Sequence, residues 1–290
     1  MNKISPCLWF DDEAEEAAKF YVSIFPNSKI KNVEKYVVDT PSNKPIGSVM
    51  TVVFEIDGFE FMGLNGGDYF KKNPSISFFI GCKTKEEVDE FYKKLHKAGK
   101  VMMELGEYPF SKRYAWIEDR FGVSWQLFLG ESKQKIVPSL MFTGKNNGKA
   151  EEAMKLYTSI FENSKIEEIH RYEEGNDRGK ISHARFSLLG GDFIMMESGL
   201  EHKFNFNEGI SLMIPCEDQE EIDYYYDSLS AVPESEVCGW LKDKYGLSWQ
   251  IVPTTLGEMM KGKNAEKVMS TLLKMKKIDI EGLRKAHESH

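Results

Sequence analysis

The chain has 290 residues, 41% hydrophobic and 29% charged. That balance builds packed cores, excludes a disordered chain, and at roughly 100–200 residues per domain leads us to expect two domains. A net charge of −8 and a pI near 5.5, with lysines scattered among acids, leave no basic stripe to follow a phosphate backbone, so nucleic acid is set aside as a partner. The start MNKISPCLWFDD reaches acids after a few apolar residues, unlike a secretory leader. No segment approaches the ~20 apolar residues of a membrane span, so the expected location is cytoplasmic, with no membrane partner.

Along the chain, the apolar run Pro6 to Phe10 reads as a strand. Ala14, Ala17, Tyr21 and Ile24 follow at helical spacing, with Asp11 or Asp12 as the expected cap. Val49 to Ile56 and Phe59 to Leu64 read as strands joined by the hairpin turn Asp57-Gly58, completing a βαβββ unit. A second unit comprises strand Ile76 to Ile80, helix Lys85 to His96 ended by Gly99, and strands near Val101, Tyr114 to Ile117 and Ser124 to Leu129. A third opens at Pro138 to Phe142, with Ala150, Ala153, Tyr157 and Ile160 at helical spacing, and a fourth runs from Ile210 to Pro253. The tail is amphipathic, with Val268, Leu272, Leu273, Met275 and Ile278 apolar among lysines, and is expected to pack on a domain.

Residues 14–30, AEEAAKFYVSIFPNSKI, return at 150–166 as AEEAMKLYTSIFENSKI, and 13 of 17 identities in one register establish a duplication. Further matches keep the same order, ending with DRFGVSWQLF from Asp119 against DKYGLSWQIV from Asp243. The first copy carries about nine extra residues around Glu104 to Lys112. We therefore expect domains at 1–133 and 137–255, joined by ESKQK, and a helical extension at 256–290. A βαβββ unit cannot cover its own sheet face, so the expected fold is α+β, four units paired into two curved cups with helices outside. Whether each cup forms within a copy or between copies is open, and so is the choice of monomer or homodimer. Cys7, Cys82, Cys216 and Cys238 are far apart and lack zinc-ligand spacing, which points to reduced thiols.

The segment CLWFDDEAEEAAKFYVSIFPNSKI, its second copy and the D-x-[FY]-G-x-S-W-Q block ending each domain resemble the vicinal-oxygen-chelate (glyoxalase/bleomycin-resistance/dioxygenase) superfamily. Within it they resemble the PhnB-like family, whose domain label is 3-demethylubiquinone-9 3-methyltransferase. The resemblance implies the cup fold and, in metal-dependent members, a divalent ion held by His, Gln and Glu for Lewis-acid chemistry. Here the matching places carry Ser5 or Pro6, Phe61 or Met62, Ser75 or Ile76, and Gln126. In the second copy they carry Pro138 or Ser139, Met195 or Met196, Gly209 or Ile210, and Gln250. One neutral amide per copy does not hold a divalent ion, so no metal and no cofactor are expected.

Chemistry, if present, is expected in the second copy, where His183 and Glu197 on adjacent strands form a candidate acid/base pair with Gln250. Trp116 with Trp240 and Trp125 with Trp249 are either core or an aromatic ligand wall, helped by Met62 and Met195 and by Gln126. Tyr108 and Phe110 are a candidate lid. The methyltransferase label lacks support in the residues. Neither Gly63 to Gly67 nor Gly190-Gly191 forms the strand-to-helix glycine turn that S-adenosylmethionine sites commonly use. The favoured reading is a protein binding a small apolar or aromatic molecule without metal. The alternatives are a lyase, isomerase or dioxygenase-like enzyme using His183, Glu197 and Gln250, and a scaffold with filled cups.

Overall fold

The computed structural model describes residues 4–130 and 132–289, so the first three residues, Glu131 of the linker and His290 lie outside the described residues. The first unit is β1 (Ser5–Phe10), α1 (Ala14–Ile24), β2 (Lys29–Lys35), β3 (Val49–Ile56) and β4 (Phe59–Asn65). The second is β5 (Ile76–Cys82), α2 (Lys85–Leu95), β6 (Lys100–Tyr108), β7 (Ser111–Glu118) and β8 (Ser124–Leu129). The third is β9 (Ile136–Phe142), α3 (Ala150–Ile160), β10 (Lys165–Arg171), β11 (Ile181–Leu188) and β12 (Gly191–Glu197). The fourth is β13 (Ile210–Cys216), α4 (Gln219–Leu229), β14 (Trp240–Lys242) and β15 (Ser248–Pro253), followed by α5 (Leu256–Met259), α6 (Ala265–Leu272) and α7 (Ile280–Glu288).

The extra residues of the first copy form the far end of the β6–β7 hairpin. The fourth unit has a 3-10 turn at Pro233–Ser235 where the second has β6. Its edge is completed from elsewhere: the N–H groups of Cys238 and Gly239 donate to the carbonyls of Met275 and Lys276, at 2.8 and 2.7 Å. The C-terminal extension thus takes the place of a strand.

Each sheet is built from both copies. The seven-stranded sheet has the order β14-β15-β13-β1-β4-β3-β2, and the eight-stranded one β10-β11-β12-β9-β5-β8-β7-β6. They are joined where β1 runs antiparallel to β13, from Ser5 opposite Met213 to Leu8 opposite Ile210, and where β5 runs antiparallel to β9, from Ile76 opposite Leu140 to Ile80 opposite Ile136. Unit one therefore pairs with unit four, and unit two with unit three. Strands three places apart lie ~14 Å from each other in a flat sheet. Yet Trp9 on β1 meets Trp240 on β14 at 5.9 Å between ring centroids, and Phe79 on β5 meets His183 on β11 at 6.3 Å. Both sheets curve into cups, with helices packed on the other face.

Within a copy, the two units meet through a buried carboxylate rather than a shared sheet. Asp119 accepts from the Tyr21 hydroxyl of α1 (2.7 Å), Trp125 Nε1 of β8 (2.7 Å) and the backbone N–H groups of Phe121 (2.8 Å) and Val123 (3.0 Å). Asp243 does the same with Tyr157, Trp249, Tyr245 and Leu247, at 2.6, 3.0, 2.8 and 3.1 Å. Gly122 and Gly246, at φ 77° and 84°, let the turn reverse inside this bonding pattern. The repeated D-x-[FY]-G-x-S-W-Q block is thus a structural device. Burial pushes both carboxyls above the ordinary range, while the four donors oppose that rise.

Two outcomes follow from this construction. Residues 1–133 expressed alone expose the edges of β1 and β5, which normally pair with the other copy, and should self-associate; a monodisperse monomer in sedimentation would contradict the cross-copy account. Asp119→Ala leaves the Tyr21 and Trp125 donors buried without an acceptor and should lower stability by about 2–4 kcal/mol in urea unfolding. A loss below the error of the method would show that water replaces the carboxylate.

Candidate functional site

Side-chain alternation sorts each strand into a helix face and a cup face. Trp125 and Trp249 are fully buried on the helix face, against Tyr21 and Tyr157 at 5.4 and 5.5 Å between centroids. They are core, which removes them from the candidate ligand wall. Their neighbours Gln126 and Gln250 consequently face the cups. Gln126 Nε2 donates to Ser77 Oγ at 2.8 Å, and its Oε1 accepts from the Tyr114 hydroxyl. Gln250 Nε2 donates to Ser211 Oγ at 2.8 Å. Trp116 and Trp240 lie directly across from these glutamines, on the cup face rather than in the core.

The residues flanking each glutamine differ from those the alignment with metal-dependent relatives picks out. Ser77 stands in place of Ser75 or Ile76, Ser211 in place of Gly209 or Ile210, and Cys7, opposite Ser211, in place of Ser5 or Pro6. Met62 lies beside Cys7, and Ile194 beside Ser139, which itself lies opposite Ser77. Met195 turns the other way, into the core under α3, and leaves the candidate site. Burial pushes the Cys7 thiol up to about 12, so it stays protonated at neutral pH. Hydroxyls, amides and a protonated thiol do not fit a divalent ion, which takes charged or imidazole ligands. Among the described residues no group of three or more His, Cys, Asp or Glu side chains converges as such ligands would.

The two cups differ in content. In the seven-stranded cup Trp9 packs edge-on against Trp240 and against Phe70, at 5.9 and 4.8 Å, and its Nε1 donates to Gly67 O at 2.7 Å. Gly66 is required beneath this ring, since a Cβ there would sit 2.1 Å from it. The C-terminal extension touches both edges of this sheet. Gly257 lies against Glu34 of edge strand β2, whose carboxylate accepts from the cup-facing Thr51, and Met275 and Lys276 hold the opposite edge at β14.

The eight-stranded cup contains a cavity of about 180 Å³. Phe79, Phe128, Val137 and Ile194 form its apolar walls, and His183, Arg185 and Glu168 its polar side. Burial holds His183 below the usual imidazole range, with Glu168 partly opposing, so the ring is predominantly neutral at pH 7. Arg185 lies 4.0 Å from Glu168 and 3.8 Å from Asp192, longer than a charge-assisted hydrogen bond. Ser139 Oγ, buried on the cup face, has no hydrogen-bond partner. Tyr108 and Phe110 stack on each other at 5.6 Å and rest on Tyr114 at 5.5 and 5.0 Å, so the long hairpin forms one rim of this cup.

The candidate trio His183, Glu197 and Gln250 is not brought together. Ala184, next to His183, pairs with Met195 on the core face, so His183 and Glu197 project from opposite faces of their sheet. Glu197 accepts from the backbone N–H of Ala150 (3.0 Å) and of Ile181 (2.7 Å), capping α3 from a distant strand. Its counterpart Asn65 caps α1 through Ala14 N at 2.9 Å, a role expected of Asp11 or Asp12. Gln250 belongs to the other sheet. Arg185, Glu168, Ser77 and Tyr114 were not singled out by sequence, whereas Ser139 was, as one of two alternatives with Pro138. The parity of Trp125 and Gln126 on β8, carried to the paired strands, is the signal that points to them.

The family model described as 3-demethylubiquinone-9 3-methyltransferase matches the chain twice, over residues 2–128 and 134–252. A putative 3-demethylubiquinone-9 3-methyltransferase, PhnB protein, from Bacillus cereus is 39% identical over 43% of this chain and 96% of its own, with a TM-score of 0.40. A protein from Staphylococcus aureus is 31% identical over 45% of this chain and 98% of its own, with a TM-score of 0.19. Glyoxalase I from Zea mays, 13% identical, covers 89% of this chain and 95% of its own at a TM-score of 0.55, a likeness of fold alone. No curated protein matches the chain.

If Glu197 is a cap, Glu197→Ala should cost about 1–3 kcal/mol in chemical unfolding, and Glu197→Gln, which keeps an acceptor, distinctly less. The two bonds use different carboxylate oxygens, so Glu197→Gln keeps only one of them, and a loss for Glu197→Ala below the error of the method would show that Glu197 is not needed to hold α3.

Proposed function

Because the chain belongs to the family described as 3-demethylubiquinone-9 3-methyltransferase, the PhnB-like branch of the vicinal-oxygen-chelate superfamily, we propose that it binds a small apolar or aromatic molecule in its eight-stranded cup. The observation carrying this reading is the cavity of the eight-stranded cup with its four apolar walls, where the seven-stranded cup instead has Trp9 packed edge-on against Trp240 and Phe70. At about 180 Å³ that cavity is slightly larger than the ~150 Å³ that admits benzene, so a single aromatic ring with a small substituent suits it. A hydrogen-bonding substituent would meet His183 and Arg185 on the polar side. Binding proceeds in this reading without a divalent ion, as the neutral donors around Gln126 favour.

The dispersal of His183, Glu197 and Gln250 over two sheets and two faces argues against acid/base catalysis by that trio. The methyltransferase label gains nothing from the glycines. Gly63 packs on Ala14, Gly66 makes room for Trp9, and Gly190 turns the β11–β12 hairpin at φ 80°. None of them opens a helix toward a phosphate or a sulfonium cofactor.

Titration with single-ring aromatics such as phenol and benzoate, followed by thermal shift and calorimetry, tests the proposal. A ligand at ~100 times its Kd should stabilise the protein by about 2.7 kcal/mol. Ile194→Trp, which fills the cavity, should abolish that shift while leaving the circular dichroism unchanged. A shift that survives Ile194→Trp places the ligand elsewhere, and a stoichiometric divalent metal in the purified protein would refute the metal-free reading.

A further inference from the structure

Lys72 occupies a place in the first copy that an aromatic ring fills in the second. Each stands four residues before the strand that opens the following unit, Ile76 or Ile210. In the second copy Phe206 is buried and packs edge-on against Phe142, the last residue of β9, at 5.1 Å. In the first, the Lys72 ammonium stands 3.9 Å above the ring of Phe10, the last residue of β1, and donates to the Trp9 carbonyl. No carboxylate among the described residues lies within ion-pair distance of it, although Lys71 pairs with Asp68 and Arg120 with Glu16 close by. Beside Lys72 lies a cavity of about 330 Å³ whose lining is part aromatic, with Phe10, Phe70 and Phe121, and part charged, with Glu13, Glu118 and Arg120 among others.

Packing alone gives no reason for this lysine, because the phenylalanine of the other copy solves the same problem without a buried amine. We propose that Lys72 is a reactive amine that condenses with a small aromatic aldehyde entering this cavity, at a site separate from the eight-stranded cup. The nitrogen lone pair adds to the carbonyl carbon, and the carbonyl oxygen takes up a proton. The carbinolamine then expels water and leaves a C=N bond, with Glu13 placed on the cavity wall to exchange the protons. A lining that is part aromatic and part charged suits an aromatic aldehyde, with room for a polar substituent beside the charged residues. Burial also depresses the pKa of Lys72 from 10.5 to about 8, so free amine is present near neutral pH.

The test uses the full-length protein with benzaldehyde and sodium cyanoborohydride at pH 8, which reduces the iminium to a stable benzylamine, located by peptide mass spectrometry. Lys71, adjacent but exposed and paired with Asp68, is the internal reference. Lys72 should be labelled at least ~10-fold faster than Lys71, a conservative share of the difference in free amine between a group at about 8 and one that its bond to Asp68 raises above the usual lysine range. Its labelling rate should rise with pH around a midpoint near 8. Lys72→Phe, which restores the arrangement of the second copy, should keep the melting temperature and lose only this label. Labelling of Lys72 no faster than Lys71 would overturn the proposal and leave the residue as a structural cation over Phe10, whether or not Lys72→Phe folds.

Discussion

Strand β1 lies between β4 of its own copy and β13 of the other, and the rest of the architecture follows from that second partnership. A curved sheet of four strands has two open edges, each a row of unpaired N–H and C=O groups. Joining β1 to β13 and β5 to β9 removes four such edges from the interior of the molecule and makes each cup wide enough to have two walls. Neither copy owns a cup. Each supplies half of both, while its private core lies between its two half-sheets and is tied through Asp119 or Asp243.

This arrangement lets the two cups diverge without disturbing the two cores. Tyr21, Asp119 and Trp125 match Tyr157, Asp243 and Trp249 bond for bond. On the other face of the same strands, Cys7 stands against Ser139, Thr51 against His183 and Trp9 against Met141. Alternation explains the contrast, because successive residues serve different masters: one packs under a helix and is constrained by volume, and the next faces a cup and is free to vary. The C-terminal extension adds to the contrast, because it meets the edges of the seven-stranded sheet at Glu34 and at Cys238 and Gly239.

Much of the fold was legible in the sequence. The identity between residues 14–30 and 150–166 established the duplication, the spacing of Ala14, Ala17, Tyr21 and Ile24 placed the helix, and the extra residues at Glu104 to Lys112 marked a difference that the β6–β7 hairpin realises. The exchange of sheets between copies was not legible, since β1 and β9 share the run Pro-x-Leu-x-Phe, Pro6 to Phe10 and Pro138 to Phe142, and either satisfies a partner strand equally on paper. The caps were missed for a different reason. Asn65 and Glu197 act across about fifty residues of chain, whereas capping rules look only to the residues just before a helix. For the site, residue types alone do not reveal which face of a strand a side chain takes. Trp125 and Gln126 are neighbours on one strand and cannot both line one cup, and the same parity takes Met195 away from Ile194 and Glu197 away from His183.

The cross-copy joints also set an order on assembly during synthesis. Ile80 meets Ile136 only a short stretch of chain later, so the joint of the eight-stranded sheet closes early. Leu8 must wait for Ile210, roughly two hundred residues on, which at ~5–20 residues per second is on the order of 10–40 s of translation. Throughout that interval the β1 edge is a vacant template. The strand best suited to claim it wrongly is β5 of the same copy, whose proper partner β9 is a near twin of β1. A duplicated chain therefore carries its own decoy, and a nascent molecule that closes β5 on β1 would bury the same apolar faces in a half-sized, self-contained cup.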